Sequence, residues 1–338
     1  MIARRRCYHD AVLRIVERLV SILDQTYPDR PRLVLANRNA GTPRRHREIC
    51  RAVERYIGSD AYRLDGVPFV WTVSPEHAVQ VLDRSAHGDS RIVVSIGGDG
   101  THNVVLSAAL ARDRRDLVFV RVPAGSGNDS TTVGRIDDYL ARLDHGLVER
   151  TIPAVLVETQ QRRFYSFNIA GMGIDAYVTA LHDRWRSRLP GDTYRLMADL
   201  AVLRYEKNVS LGPSRLTGVR GNGETIDLGS AVRNLIVFGV DGHRTYGDHM
   251  RVLPGDENVC IIGTAGLREK IRMKKLFFAG AHTDQPTTTM AALDSLSVEY
   301  AGRLPLQVDG EAFWIEAEEF PVRFSRIQRS VSVIDLSP

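Results

Sequence analysis

The 338-residue sequence reads as an α/β domain built on a doubly wound parallel sheet, followed by a mostly antiparallel β-domain. Three observations carry that reading. Residues 32–122 alternate wholly apolar strands with helical segments, the rhythm of βαβ units whose sheet is covered on both faces. Each of those strands runs into a turn rich in Gly, Asn, Ser or Thr, on the edge where such sheets hold ligands. Near residue 150 the texture changes, and strands follow one another without long helices between them. The expected divisions are an N-terminal helical extension over 1–31, the α/β domain over 32–150 and the β-domain over 151–338.

Taken in order, residues 9–25 predict an amphipathic helix with Val12, Ile15, Val16, Leu19, Val20, Ile22 and Leu23 on one face. That face suits packing on its own domain, a membrane or a second copy in a homodimer. Strand 32–36 enters the turn Asn37-Arg38-Asn39-Ala40-Gly41, and a helix with Ile49, Ala52, Val53 and Tyr56 follows. After strand 69–73, Ser74 and Pro75 open a helix as N-cap and first residue. Strand 92–96 has four β-branched residues in five and breaks into Gly97-Gly98-Asp99-Gly100-Thr101, ahead of an apolar helix over 104–110. Strand 117–122 ends at Pro123-Ala124-Gly125-Ser126-Gly127-Asn128-Asp129. Further strands are expected at 152–158, 164–169, 232–240, 258–263, 296–300, 304–308, 312–316, 320–326 and 330–335. One helical stretch is expected over 174–206, and an apolar-basic stretch covers 270–278.

Composition sets bounds. With 43% hydrophobic and 25% charged residues the chain is that of a globular protein. It has no apolar run of about 18 residues and no signal-peptide core, so a cytoplasmic location is expected. Three scattered cysteines without Cys-x-x-Cys, and ten histidines without His-Glu-x-x-His, exclude the familiar zinc patterns. The net charge of +4 permits nucleotides or anionic membrane surfaces as partners. No nucleic-acid partner is expected.

Strand, glycine turn and helix bring backbone close to phosphate, because glycines remove the blocking Cβ atoms and helix-start N–H groups face the anion. Gly97, Gly98, Gly100 and Thr101 would supply those contacts, with Asn103 just beyond. Asn37, Gly41 and Thr72 end neighbouring strands, and Ser126 can bond a phosphate or ribose oxygen. A carboxylate there would repel bare phosphate. Asp99 therefore makes sense if a divalent cation or a hydroxyl group lies between, and Asp99 and Asp129 together suit Mg²⁺ with water between. N-capping of a helix over 130–143 is the alternative for Asp129. Asn168 and Asp175 either lie near the ligand or close a β-turn.

Gly97-Gly98-Asp99-Gly100-Thr101 resembles a signature shared by NAD kinases, phosphofructokinases and the diacylglycerol/sphingosine kinase family. The second motif discriminates. Residues 123–129 resemble the Pro-x-Gly-Thr-x-Asn-Asp motif of the diacylglycerol kinase catalytic domain, with Ser126 for threonine. Asn37-Arg38-Asn39-Ala40-Gly41 is similar to that family's Asn-Pro-x-Ser-Gly turn. Residues 168–176 are similar to its Asn-x-x-Gly-x-Gly-x-Asp-Ala segment, and Asp309-Gly310-Glu311 to its Asp-Gly-Glu motif. The later Asn-Thr-Gly segment of NAD kinases is absent. The resemblance implies a β-sandwich second domain, and ATP and a lipid meeting between the domains. It implies transfer of the ATP γ-phosphate to a lipid hydroxyl, with diacylglycerol or a related lipid alcohol as acceptor.

By the same resemblance ATP and Mg²⁺ are the cofactors, and Asn128 joins the nucleotide turn. A further structural Mg²⁺ would sit on Asp256 and the carbonyls of Leu253 and Asn258, although Asp256 equally fits an ordinary turn. Asp309 or Glu311 would take the hydroxyl proton, with the other orienting it. Three positions differ from the family: Val104 replaces a glutamate, Ser130-Thr131-Thr132 replace Phe-Ala-Arg, and Glu257 follows Asp256 where glycine is usual. A catalytically silent binding protein of the same fold, or a sphingoid- or ceramide-specific kinase, are the alternatives. The cations of 270–278 beside Leu276, Phe277 and Phe278 suit either reversible membrane contact or a solvated helix edge.

Overall fold

The computed structural model describes residues 2–58, 66–85, 91–125, 128–185, 204–209, 211–246, 250–264 and 266–337. The chain divides into two compact units, Met1–Ile152 with Arg329–Pro338, and Pro153–Gln328. The first unit contains α1 (Ile2–Thr26), β1 (Arg32–Asn37), α2 (Pro43–Tyr56), β2 (Phe69–Thr72), α3 (Pro75–Arg84), β3 (Arg91–Gly97), α4 (Asp99–Ala111), β4 (Leu117–Pro123), α5 (Ile136–Arg142) and the start of β5 (Leu147–Glu158). Strands β2, β1, β3 and β4 lie side by side in that order, all parallel. Residues 332–334 of the last strand of the chain extend the sheet in parallel beyond β4.

Both faces of this sheet are apolar, which is why its strands carry no alternation. On one face Val34, Ala36, Ile92, Val94, Ile96, Val118, Val120 and Val122 share a core with α1, α2 and α5. Helices α3 and α4 pack against each other, and α4 packs on β3 and β4. Thr42 and Ser74 cap α2 and α3 with their side chains, each followed by proline. Helix α1 buries Tyr8, Val12, Ile15, Val16, Leu19 and Leu23 in this core. It is therefore an integral layer of the first unit, not a separate extension.

The second unit continues with β6 (Arg163–Ser166), β7 (Ile169–Gly173), α6 (Ile174–Trp185), β8 (Pro213–Val219), β9 (Thr225–Gly239), β10 (Arg244–Tyr246), β11 (Met250–Leu253), β12 (Val259–Gly263), α7 (Leu267–Ala279), β13 (Thr288–Ala291), β14 (Ser295–Glu299), β15 (Leu304–Val308), β16 (Glu311–Ile315) and β17 (Val322–Leu336). Its strand pairs of described register are antiparallel. The first half of β9 pairs with β8, and the second half lies between β7 and β12. β15 bridges β7 and β16.

Residues 320–326 and 330–335, expected as two strands, are one. β17 pairs antiparallel with β14 over 322–325 and then parallel with β4 over 332–334. The polar stretch 325–330 looks like a turn in sequence but continues as extended chain. For that reason the last ten residues belong to the first unit, where the sequence placed them in the second. Of the helical stretch 174–206, residues 186–203 lie outside the described residues.

Candidate functional site

Helix α4 begins at Asp99, directly after β3, so the first N–H groups of the helix have no carbonyl partner within it. Its positive dipole end and these donors suit an anion. A Cβ on Gly97 would fall 2.4 Å from the Cβ of Thr101, so only glycine lets the chain turn here. The Thr101 hydroxyl accepts from Asn37 Nδ2 at 2.8 Å, and the Asn37 Oδ1 accepts from the Asn39 N–H at 2.9 Å. The turn after β1 is thereby tied to α4. Gly41 has φ +74, and a Cβ there would lie 2.9 Å from the Ala124 carbonyl at the end of β4. Thr72 lies opposite Asn37 in the sheet and donates to the Ala36 carbonyl at 3.3 Å. Asn103 accepts from the Ser107 hydroxyl at 3.1 Å. Three strand-end turns thus converge on the start of α4, while Ser126 lies outside the described residues.

Asp99 faces the turn at 128–131 rather than open space. Its Oδ2 accepts from the Asp129 N–H at 2.9 Å; its Oδ1 accepts from the Ser130 N–H at 3.0 Å and the Ser130 hydroxyl at 2.6 Å. Asn128 is buried and bonds the Gly125 and Gly134 carbonyls at 3.2 and 2.9 Å. Asp129 is therefore fixed from both sides. The following helix starts at Ile136 with Arg135 as its cap, so the N-cap alternative for Asp129 does not hold. Asp99 and Asp129 are the two carboxylates of this turn that could hold a divalent cation. This fits Mg²⁺, which keeps several waters and takes one or two carboxylates plus phosphate oxygens. Below the turn His102 is fully buried against Ser95; burial and, less, the Arg121 charge push its pKa down to about 3.

In the second unit, Asp309 and Gly310 join β15 to β16 with φ +47 and +85, the two-residue hairpin turn that demands left-handed backbone. The Asp309 carboxylate accepts four hydrogen bonds: from the Ser166 hydroxyl at 2.5 Å and the N–H groups of Phe167, Asn168 and Ile169 at 2.7, 3.1 and 3.1 Å. It clasps the 166–169 loop. Glu311 is exposed at the first position of β16. Gln307, 2% exposed, accepts from the Gly310 N–H at 3.1 Å and donates to Asp175 Oδ2 at 3.4 Å. Asp175 is buried, and desolvation pushes its carboxyl up to about 7. Asn168 is buried as well and donates to the Thr245 carbonyl at 3.2 Å.

At the Leu253, Asp256 and Asn258 positions, the carboxylate and the Asn258 carbonyl each have a protein partner. Asp256 is fully exposed with His243 Nε2 at 2.9 Å from its Oδ1. The Asn258 carbonyl accepts from the Gly239 N–H at 2.7 Å, and its side chain bonds the Gly239 and Leu293 backbone. Among the described residues no three His, Cys, Asp or Glu side chains form a metal cluster. The sequence reading missed Arg121, Gln307 and Asp335. Arg121 and Gln307 carried a signal, since each is the lone strongly polar residue in an apolar strand.

The comparisons bear on this geometry. Residues 31–154 match the family model of the diacylglycerol kinase catalytic domain. The match covers the three strand-end turns around Asp99. A diacylglycerol kinase structure from Bacillus anthracis str. Sterne is 12% identical, with a TM-score of 0.55 over 91% of this chain and 97% of its own. Another from that organism, provisionally described as a diacylglycerol kinase, is 16% identical, with a TM-score of 0.58 over 91% and 98%. These likenesses show the fold: parallel α/β strands followed by antiparallel strands. No curated protein matches the chain in sequence.

Proposed function

We propose that the chain is an ATP- and Mg²⁺-dependent kinase that transfers the γ-phosphate to a lipid hydroxyl, most simply that of diacylglycerol. The observation that carries this reading is the glycine turn at the head of α4, clasped through Asp99 to the Asp129 turn within the segment that matches a kinase catalytic domain. Phosphoryl transfer asks the protein to position the phosphates, neutralise their charge and relieve the attacking hydroxyl of its proton. In this reading the α4 N–H groups and Thr101 take the phosphates, and Asp129 takes the cation. Asn37 positions Thr101. Asp99 orders the turn rather than binding the metal directly. Glu311 is the base, because the Asp309 lone pairs are committed to four donors. When bound, Mg²⁺ would offset the charge of the transferring phosphoryl group.

Contact with a lipid surface is supported by α7. Its exposed stripe, Arg268, Ile271, Arg272, Lys275 and Phe278, mixes cations with apolar groups at helical spacing. Lys270 does not join it, being turned inward to Glu206; the Lys274 side chain lies outside the described residues. No helix among the described residues is long and apolar enough to cross a membrane, so contact would be peripheral. The deciding experiment incubates the protein with γ-labelled ATP and diacylglycerol, a sphingoid base or ceramide in mixed micelles. Label on one lipid supports the reading and names the acceptor. ATP binding without label on any lipid overturns it in favour of a silent binding protein.

A further inference from the structure

We propose that Arg121 and Asp335 are positioning residues for the phosphate turn, so that the last strand of the chain holds the Ser130 carbonyl, next to Asp129, in place. The proposal rests on the kinase reading of that turn. Arg121 is the single charge in β4, whose remaining residues are all apolar, and it is 4% exposed. A guanidinium so buried needs its charge paired, and here both Nη groups have partners while Nε has none. Its Nη2 reaches both oxygens of Asp335, 3.2 and 3.4 Å away, and Asp335 also accepts from Arg150 Nε at 2.8 Å. The register makes this pair: residues 332–334 of β17 lie beside 118–120 of β4, which brings Asp335 next to Arg121.

The guanidinium has a further partner, and it lies in the site. Arg121 Nη1 donates to the Ser130 carbonyl at 2.6 Å. The Ser130 N–H and hydroxyl both go to Asp99. Every polar group of Ser130 is therefore held, from one side by the aspartate at the head of α4 and from the other by an arginine anchored to the C-terminal strand. Closing a sheet core needs no such device, since apolar residues of similar volume do it as well or better. What the ion pair adds is a fixed direction for one carbonyl, adjacent to the carboxylate assigned to the cation. Displacements of about 1 Å at such a point cost about 10²-fold in rate.

The test uses the full chain carrying Arg121→Met with Asp335→Leu, which removes the charges together and leaves no ion buried alone. Two readouts are taken on the folded variant: hydrogen exchange of the 128–134 amides, and kcat and KM for MgATP. We expect cooperative melting as in the parent, exchange at Asp129 and Ser130 faster by about tenfold, and kcat/KM lower by about 10²-fold. Parental protection and parental kcat/KM in a folded double variant overturn the proposal. If the double variant does not fold, the near-isosteric Asp335→Asn takes its place, with the same signs expected and the same null result overturning it. Should the parent itself phosphorylate no lipid, the kinase reading fails on its own. The exchange data still decide whether the C-terminal strand holds the turn.

Discussion

Asp175 is buried on α6, and its Oδ1 has no hydrogen-bond partner among the described residues. Its carboxyl titrates near 7 in the folded chain against 3.8 as the ordinary value. Between those values the folded state holds a proton that the unfolded state has released, so this group's contribution to stability falls as pH rises from about 4 to about 7. The full cost, of order 4 kcal/mol at most, is present above that window. Asp175→Asn should therefore raise the melting temperature at pH 8 and change it little near pH 4; equal shifts at both pH values would remove burial as the cause. Asp309 carries the opposite expectation. Asp309→Asn places an amide group against backbone N–H donors and should destabilise the protein by about 2–4 kcal/mol in denaturant melts. The motif residues of both turns were legible from sequence because they sit in short runs. Asp335 was not, because its meaning lies in partners more than a hundred residues away.

Strand β17 shows how an element can mislead a reader of sequence. Its polar middle suggests a turn, yet the strand stays extended while exchanging an antiparallel partner for a parallel one. The apolar strands β1, β3 and β4 and the start of α3 were readable, since both-face burial and the Ser74-Pro75 start leave local marks. Strands β8, β11 and β13 were not read, being short or mostly polar in sequence. The apolar face of α1 packs inward in the first unit, so the proposed surface contact rests on α7. Lys275→Gln should weaken binding to anionic vesicles by about fivefold, roughly 1 kcal/mol, and Phe278→Ser should weaken it further. Sedimentation with vesicles at two salt concentrations checks this; affinity unchanged in both variants would assign the contact elsewhere.

At the scale of the whole molecule, the proposed reaction asks for both a phosphate-holding turn and a base. A lipid hydroxyl is protonated at neutral pH and must lose its proton as the new phosphorus–oxygen bond forms, a step worth about 10²–10⁴-fold to a well-placed base. We propose Glu311 for that role, since Asp309 already accepts four hydrogen bonds from the 166–169 loop. The most direct measurement is the rate of γ-phosphate transfer to the labelled lipid by Glu311→Gln, taken with its affinity for MgATP. The account predicts a loss of at least about 10²-fold in kcat with ATP affinity retained. Turnover near that of the parent would contradict it.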